Sequence, residues 1–184
     1  MKQQSFQIVP IGVIHSPFMD PEGTPIQPSA AQDTPGTVEI KPEFAEGLRD
    51  VEGFERIWLI YWFHRSRAPK LTVVPFRDTE ERGVFATRAP SRPNNIGISA
   101  VRLTRIDGNV LHVVGIDVVD GTPLLDIKPY VPEFDAYECQ RTGWLGTSFT
   151  DRDRADARFE SEEGAGIEKE LPNCIQKPNS EGKP

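Results

Sequence analysis

Apolar residues fall in short runs broken by Gly, Pro, Asp and Asn, and few of those runs repeat at helical spacing. Phe6–His15 predicts a first strand, with Phe6, Ile8, Ile11, Val13 and Ile14 apolar and mostly β-branched. A long Pro/Gly/Asp-rich loop, Ser16–Pro35, leads to a short strand at Gly36–Ile40. Loops of that length in a compact domain are usually functional or disordered. Pro42–Val51 suits one or two helical turns, with Phe44 and Leu48 four residues apart, and Glu52-Gly53 breaks it. Phe54–Phe63 is the most apolar stretch, and its aromatic and β-branched content predicts a central strand buried on both faces. Val84–Thr87 and Gly97–Ile106 read as further strands. Asp107-Gly108-Asn109 is a hairpin turn, Val110–Val119 its return strand, and Asp120–Pro123 a second turn before a strand at Leu124–Ile127. Beyond Glu133 the pattern fades. Asp151–Phe159 suits a marginal surface helix, and Gly164–Gly166 and Pro172–Pro184 are expected to be flexible. Many short strands with turn signals and no βαβ alternation predict an all-β antiparallel barrel or sandwich.

Composition narrows the function. The 184 residues suffice for one domain and its core, and no apolar run reaches the roughly 20 residues of a membrane span. Met1–Ser5 lack the apolar stretch of a secretory leader. Cys139 and Cys174 are too few for a disulfide framework, and His15, His64 and His112 are scattered, so the expectation is a cytoplasmic protein with free thiols and no metal site. The net charge of −7 argues against a surface that grips nucleic acid throughout. That charge is uneven. Arg82 to Arg105 contains five arginines and no carboxylate, whereas the chain after Pro132 carries 12 acidic against 7 basic residues. A local basic patch can still meet a phosphate or an RNA loop.

Two polar clusters stand out. Arg82, Arg88 and Arg92 surround a stiff Pro90-Ser-Arg-Pro-Asn-Asn95 loop. Guanidinium forks suit carboxylate, phosphate or ribose, and equally a solvated hairpin. In the second cluster Asp126, Lys128 and Tyr130 alternate onto one strand face, a plausible proton-handling set or an ordinary half-exposed strand with an Asp–Lys pair. His64-Arg65 ends the apolar strand, where functional residues collect. Trp58, Tyr61 and Trp62 read as core or interface aromatics. Phosphate-loop, dinucleotide, Ser-hydrolase and zinc-protease motifs are lacking.

With these residues in view, the chain resembles the TrmO family, also called YaeB, VirR or TsaA-like. The likeness runs from about Ile11 to Phe134, through Ile11-Gly-Val-Ile-His-Ser-Pro-Phe18, Gly47–Phe54, Ile57–His64, Gly83–Arg88, Arg92-Pro-Asn-Asn-Ile-Gly97 and Asp120–Tyr130. It implies a small antiparallel β-barrel over residues 1–134 and an extension over 135–184, partly flexible and without a recognisable tRNA-binding domain. It implies S-adenosylmethionine as cofactor, a homodimer, and N6-methylation of threonylcarbamoyladenosine at tRNA position 37. Cofactor contacts would fall on Pro25, Ile26, Gln27, His64, Arg65, Arg88, Ile98, Val119, Asp120, Gly121 and Thr122. Asp126, Lys128 and Tyr130 are the candidates for proton acceptance or acceptor positioning. Asn95 stands where the family usually has Pro, implying a less rigid loop. The Asp-Pro-Arg-Pro motif of many bacterial members is missing after Phe134. The rival reading is a non-catalytic dimeric module that binds the cofactor as a sensor or adaptor.

Overall fold

A computed structural model describes residues 7–146 and 152–159. Six strands close an antiparallel barrel: β1 (Gly12–His15), β2 (Pro35–Ile40), β3 (Arg56–Trp62), β6 (Ile96–Asp107), β7 (Val110–Val114) and β8 (Thr122–Pro129). Their order is β1-β2-β7-β6-β3-β8, and β8 returns to pair with β1. Two short strands, β4 (Thr72–Val73) and β5 (Arg82–Gly83), form a separate hairpin.

Alternation fills the interior. Val101 and Leu103 of β6 meet Ile57 and Leu59 of β3, with Ile14, Val38, Ile40, Leu111, Val113 and Leu124 completing the core. Ile116 and Val118, from the loop after β7, plug one end. At that end the inward positions become Tyr61, Gly97 and Ser99, so the apolar interior gives way to a polar mouth. A smaller cluster of Val73, Val84, Ala89, Phe76 and Phe159 lies beside the barrel and holds the β4–β5 hairpin to the segment 152–159.

Several expectations need correction. β3 buries only alternate residues: Ile57, Leu59 and Tyr61 are inside, whereas Trp58, Ile60 and Trp62 on the outer face stay half-buried. β1 begins at Gly12, and Phe6 lies outside the described residues. Val84–Ala86 forms a 3-10 turn rather than a strand, because Val84 turns into the smaller core. β7 stops at Val114 because Gly115 takes φ +95°, a left-handed conformation that ends the ladder. Pro42–Leu48 and Val51–Gly53 are 3-10 turns. Of the segment expected as a surface helix, the described residues 152–159 turn helically only at Ala157–Phe159, as 3-10, and the segments 164–166 and 172–184 lie outside the described residues.

Candidate functional site

A cavity of about 250 Å³ opens at the polar mouth, where β3 ends and β6 begins. Several chain segments build its walls. The loop before β2 contributes Pro25, Ile26 and Gln27, the end of β3 leads into His64 and Arg65, and the turn into β8 supplies Val119 and Thr122. Arg88 and Ile98 face it from the arginine loop and β6.

Only one of the three prominent arginines is left to a ligand. Arg82 donates from Nε to buried Asp78 at 2.7 Å, an ion pair that closes the β5 turn. Arg92 uses Nη1 to hold the carbonyls of Val84, Thr87 and Ala89 at 3.1, 2.9 and 3.5 Å, so it staples its own loop. Arg88 donates to Gln27 Oε1 at 2.9 Å and reaches the cavity from an otherwise exposed position. Asn95 takes φ +50° and donates from Nδ2 to the Pro90 carbonyl at 2.8 Å. A proline ring, locked near φ −65°, cannot adopt that geometry. This loop is therefore held by hydrogen bonds.

The floor is polar. Ser99 donates to Asp117 Oδ1 at 2.6 Å, and Tyr61 Oη lies 3.0 Å from Ser99 Oγ. With Ser99's only proton on Asp117, Tyr61 is the donor to Ser99. Desolvation pushes the Asp117 carboxyl up to about 7 against the pull of Ser99 and Arg88. Burial, and after it the Asp117 charge, pushes the Tyr61 hydroxyl well above its usual value. Burial, and after it Arg65, holds His64 below the usual histidine range, so it is neutral at pH 7. Asp117 and Ser99 were not singled out by sequence reasoning, and Tyr61 was read only as a core or interface aromatic. Asp117 sits in a run of Val and Ile that reads as plain strand, and only its isolation there was a signal.

The segment 152–159 supplies an unforeseen wall. It bridges Pro25 at Arg154, exchanges backbone hydrogen bonds with Gly23, Thr24 and Ile26, and brings Ala155, Asp156 and Phe159 to the cavity. Arg158 clamps it by donating to Asp156 and to the Val74 and Pro75 carbonyls.

Asp120 and Gly121 stand behind the lining. The Asp120 carboxylate accepts from the Ser16 amide at 3.0 Å and lies 3.3 Å from His15 Nδ1, while Gly121 takes φ +74° in the turn that presents Val119 and Thr122. Asp126, Lys128 and Tyr130 are brought together, but elsewhere. A bulge opposite Ile60 and Tyr61 skips Leu125, so Ile127 turns to the core and its neighbours turn out. Lys128 Nζ pairs with Asp126 Oδ2 at 2.8 Å, and the Tyr130 ring packs 5.5 Å from Trp58 on the barrel's outer face. None of the three lines the cavity.

The donor set suits a ligand that is part apolar and part charged. Pro25, Ile26, Ile98 and Val119 offer a slot for a flat ring, Arg88 offers charge to an anion and Asp117 to a cation, whereas Arg65 is already paired with Asp20.

The family model for the tRNA-methyltransferase O N-terminal domain matches residues 13–136. The chain belongs to the TrmO family. A Pyrococcus abyssi protein named as a probable S-adenosyl-L-methionine-binding protein is 57% identical over 152 residues, 82% of this chain and 83% of that one. A human tRNA (adenine(37)-N6)-methyltransferase is 36% identical over 69% of this chain, which spans 30% of the human protein. The crystal structure of TrmO from Pseudomonas aeruginosa superposes with TM-score 0.64 at 42% identity, covering 76% of this chain and 62% of that one. The same barrel underlies this TrmO family member and the Pseudomonas protein. Among the described residues no helix is long and apolar enough to cross a membrane.

Proposed function

We propose that the protein is an S-adenosylmethionine-dependent methyltransferase of tRNA, with N6 of threonylcarbamoyladenosine 37 as acceptor. One observation carries the cofactor assignment. Nine of the eleven residues implied by the family resemblance, Pro25, Ile26, Gln27, His64, Arg65, Arg88, Ile98, Val119 and Thr122, line one cavity although they come from five separate chain segments. The cofactor supplies a methyl group activated on a sulfonium. The chain's part is to hold both partners in line and exclude water. Arg88, steadied by Gln27, suits the cofactor's carboxylate. The apolar slot beside Ile98 suits its purine. Asp120 and Gly121 act by shaping the turn that presents Val119 and Thr122. The outward position of Asp126, Lys128 and Tyr130 suits contact with a macromolecular acceptor or a second subunit. A cytoplasmic homodimer belongs to this reading on the family resemblance.

The test is isothermal titration with S-adenosylmethionine, followed by methyl transfer from labelled cofactor to tRNA with and without the threonylcarbamoyl group. Binding with transfer to the modified tRNA alone is the expected result. Binding without transfer to any tRNA supports the second reading, a non-catalytic cofactor-binding module. That reading draws on the Pyrococcus relative, of which this chain covers 83% and whose name claims binding only.

A further inference from the structure

The cavity presents more cationic than anionic side chains. Arg65, Arg88 and Arg92 line it, although Arg65 is paired with Asp20 at 3.0 Å and Arg92 is bonded to its own loop's carbonyls, and His64 is neutral at pH 7. Of the two carboxylates that also line it, Asp156 is already matched by Arg158 and Arg152. Asp117 differs. Among the described residues it has no ion-pair partner, and its hydrogen-bonding side-chain neighbour is the neutral Ser99. Arg88 is near enough to be felt, but its hydrogen bond goes to Gln27. A carboxylate on a pocket floor, fixed by a serine that a buried tyrosine fixes in turn, is costly without a cationic guest.

We propose that Asp117 is the anion with which the pocket recognises the positive charge of its ligand, held in position by Ser99 and Tyr61. The proposal rests on S-adenosylmethionine being that ligand. Its charge has two sources, the sulfonium and the amino-acid ammonium. Recognition then couples to a proton. Asp117 holds its proton below about pH 7 and must release it when the cation arrives. The groups facing it are Ser99 from β6, Tyr61 from β3 and Arg88 from the arginine loop. Tyr61, raised by burial, stays protonated across the pH range concerned. Burial holds His64 below its ordinary value, so it is neutral at pH 7 and 8.

The experiment is calorimetric titration of the full chain at pH 6, 7 and 8, in two buffers of different ionisation enthalpy. The probes are S-adenosylmethionine, S-adenosylhomocysteine and 5′-methylthioadenosine, which carry both charges, the ammonium only, and neither. The expected result is that S-adenosylmethionine affinity falls about tenfold per pH unit below 7, with close to one proton released per ligand at pH 6 and almost none at pH 8. Methylthioadenosine should show neither effect. S-adenosylhomocysteine decides the source: if it follows the full cofactor the ammonium is recognised, and if it follows methylthioadenosine the sulfonium is. Asp117→Asn should weaken S-adenosylmethionine at pH 8 by tenfold or more and flatten its pH profile. Ser99→Ala keeps the carboxylate but removes a hydrogen bond that lowers its pKa, so the midpoint of the profile should move to higher pH. A flat wild-type profile overturns the proposal even if Asp117→Asn fails to fold. So does an Asp117→Asn profile equal to wild type, and each leaves the cofactor assignment standing. Failure of the wild-type protein to bind S-adenosylmethionine at any pH overturns the assignment and this proposal with it.

Discussion

Gly97 lies directly beneath the ring of Tyr61. The two are cross-strand partners in β6 and β3, and a Cβ on Gly97 would come within 2.2 Å of Tyr61 Cε2 and 2.8 Å of Phe63. Glycine here lets the tyrosine ring fold over the strand so that its hydroxyl reaches Ser99. Gly97→Ala must displace that ring in a packed interior, a change that typically costs about 1–3 kcal/mol. Denaturant melts should register that loss. The displaced ring also breaks the floor of the cavity, so titration calorimetry should register loss of cofactor binding in protein that remains folded.

Arg88 is the arginine whose charge remains available to an anion. Arg88→Ala should lower cofactor affinity by roughly ten- to a hundredfold, the range for losing a hydrogen bond to a charged group. Arg88→Lys should recover little, because an ammonium cannot both bond Gln27 and present a fork to a carboxylate. Stability should barely change, since Arg88 is exposed. A lysine variant with wild-type affinity would show that charge alone matters there.

Stability of the ligand-free protein should fall as pH rises from about 4 to 7. The folded state raises Asp117 to about 7, above its unfolded value, so between those limits the folded form binds more protons than the unfolded form. The stabilisation is full below the unfolded pKa and lost as pH passes through 7. Solvent reaching the group through the cavity reduces the effect to on the order of 2 kcal/mol. Thermal melts across this range should show the slope in wild type, a smaller slope in Asp117→Asn, and recovery at pH 8 when cofactor is added. Asp156 acts oppositely and at lower pH. Arg158 holds it at about 2, so its contribution is present above pH 4 and lost as pH falls towards 2.

Phe159 is nearly buried and packs edge-to-face on Phe76 with ring centroids 5.1 Å apart. Phe159→Ala should release the segment 152–159 from the smaller core, where such truncations cost about 3–5 kcal/mol locally. The barrel core does not include this residue, so strand signals in hydrogen exchange should stay protected while residues 152–159 lose protection. Cofactor affinity should drop because one wall has gone.

Asp126→Asn and Tyr130→Phe should leave cofactor affinity within about twofold of wild type, because neither side chain lines the cavity. An effect on methyl transfer to tRNA without an effect on cofactor binding would place both on the acceptor side. Equal loss of both would mean that the outer face of β8 communicates with the cavity.

Much of the barrel was legible because its strands alternate. Val101 and Leu103, or Leu111 and Val113, announce an inside face by spacing alone. Phe54–Phe63 misled because aromatic residues on the outside of a small barrel look like core when read one-dimensionally. Trp58 is covered by Tyr130, a pairing that only the closed sheet creates. The arginine loop was recognisable as special, but which of its guanidiniums was committed to carbonyls and which to the cavity depends on where Asp78 and Gln27 come to lie. Asp126, Lys128 and Tyr130 were correctly seen to share a face. The skipped Leu125 decides that this face is outside, and bulges have no dependable local signature. Asp117 escaped notice because an acid in an apolar run acquires meaning only from Ser99 and Tyr61 across the sheet.

The bridge between Pro25 and Arg154 has a consequence for how the protein is made. Synthesis runs from the N-terminus, and the last barrel strand ends at Pro129. All six staves are then in hand and the barrel can close. The chamber at its mouth still lacks a side, because Ala155, Asp156 and Phe159 have yet to leave the ribosome. A nascent chain paused between these points has a finished frame and an unfinished room. A product cut short there would pass as folded by its strands and be recognised as defective only by what it fails to hold.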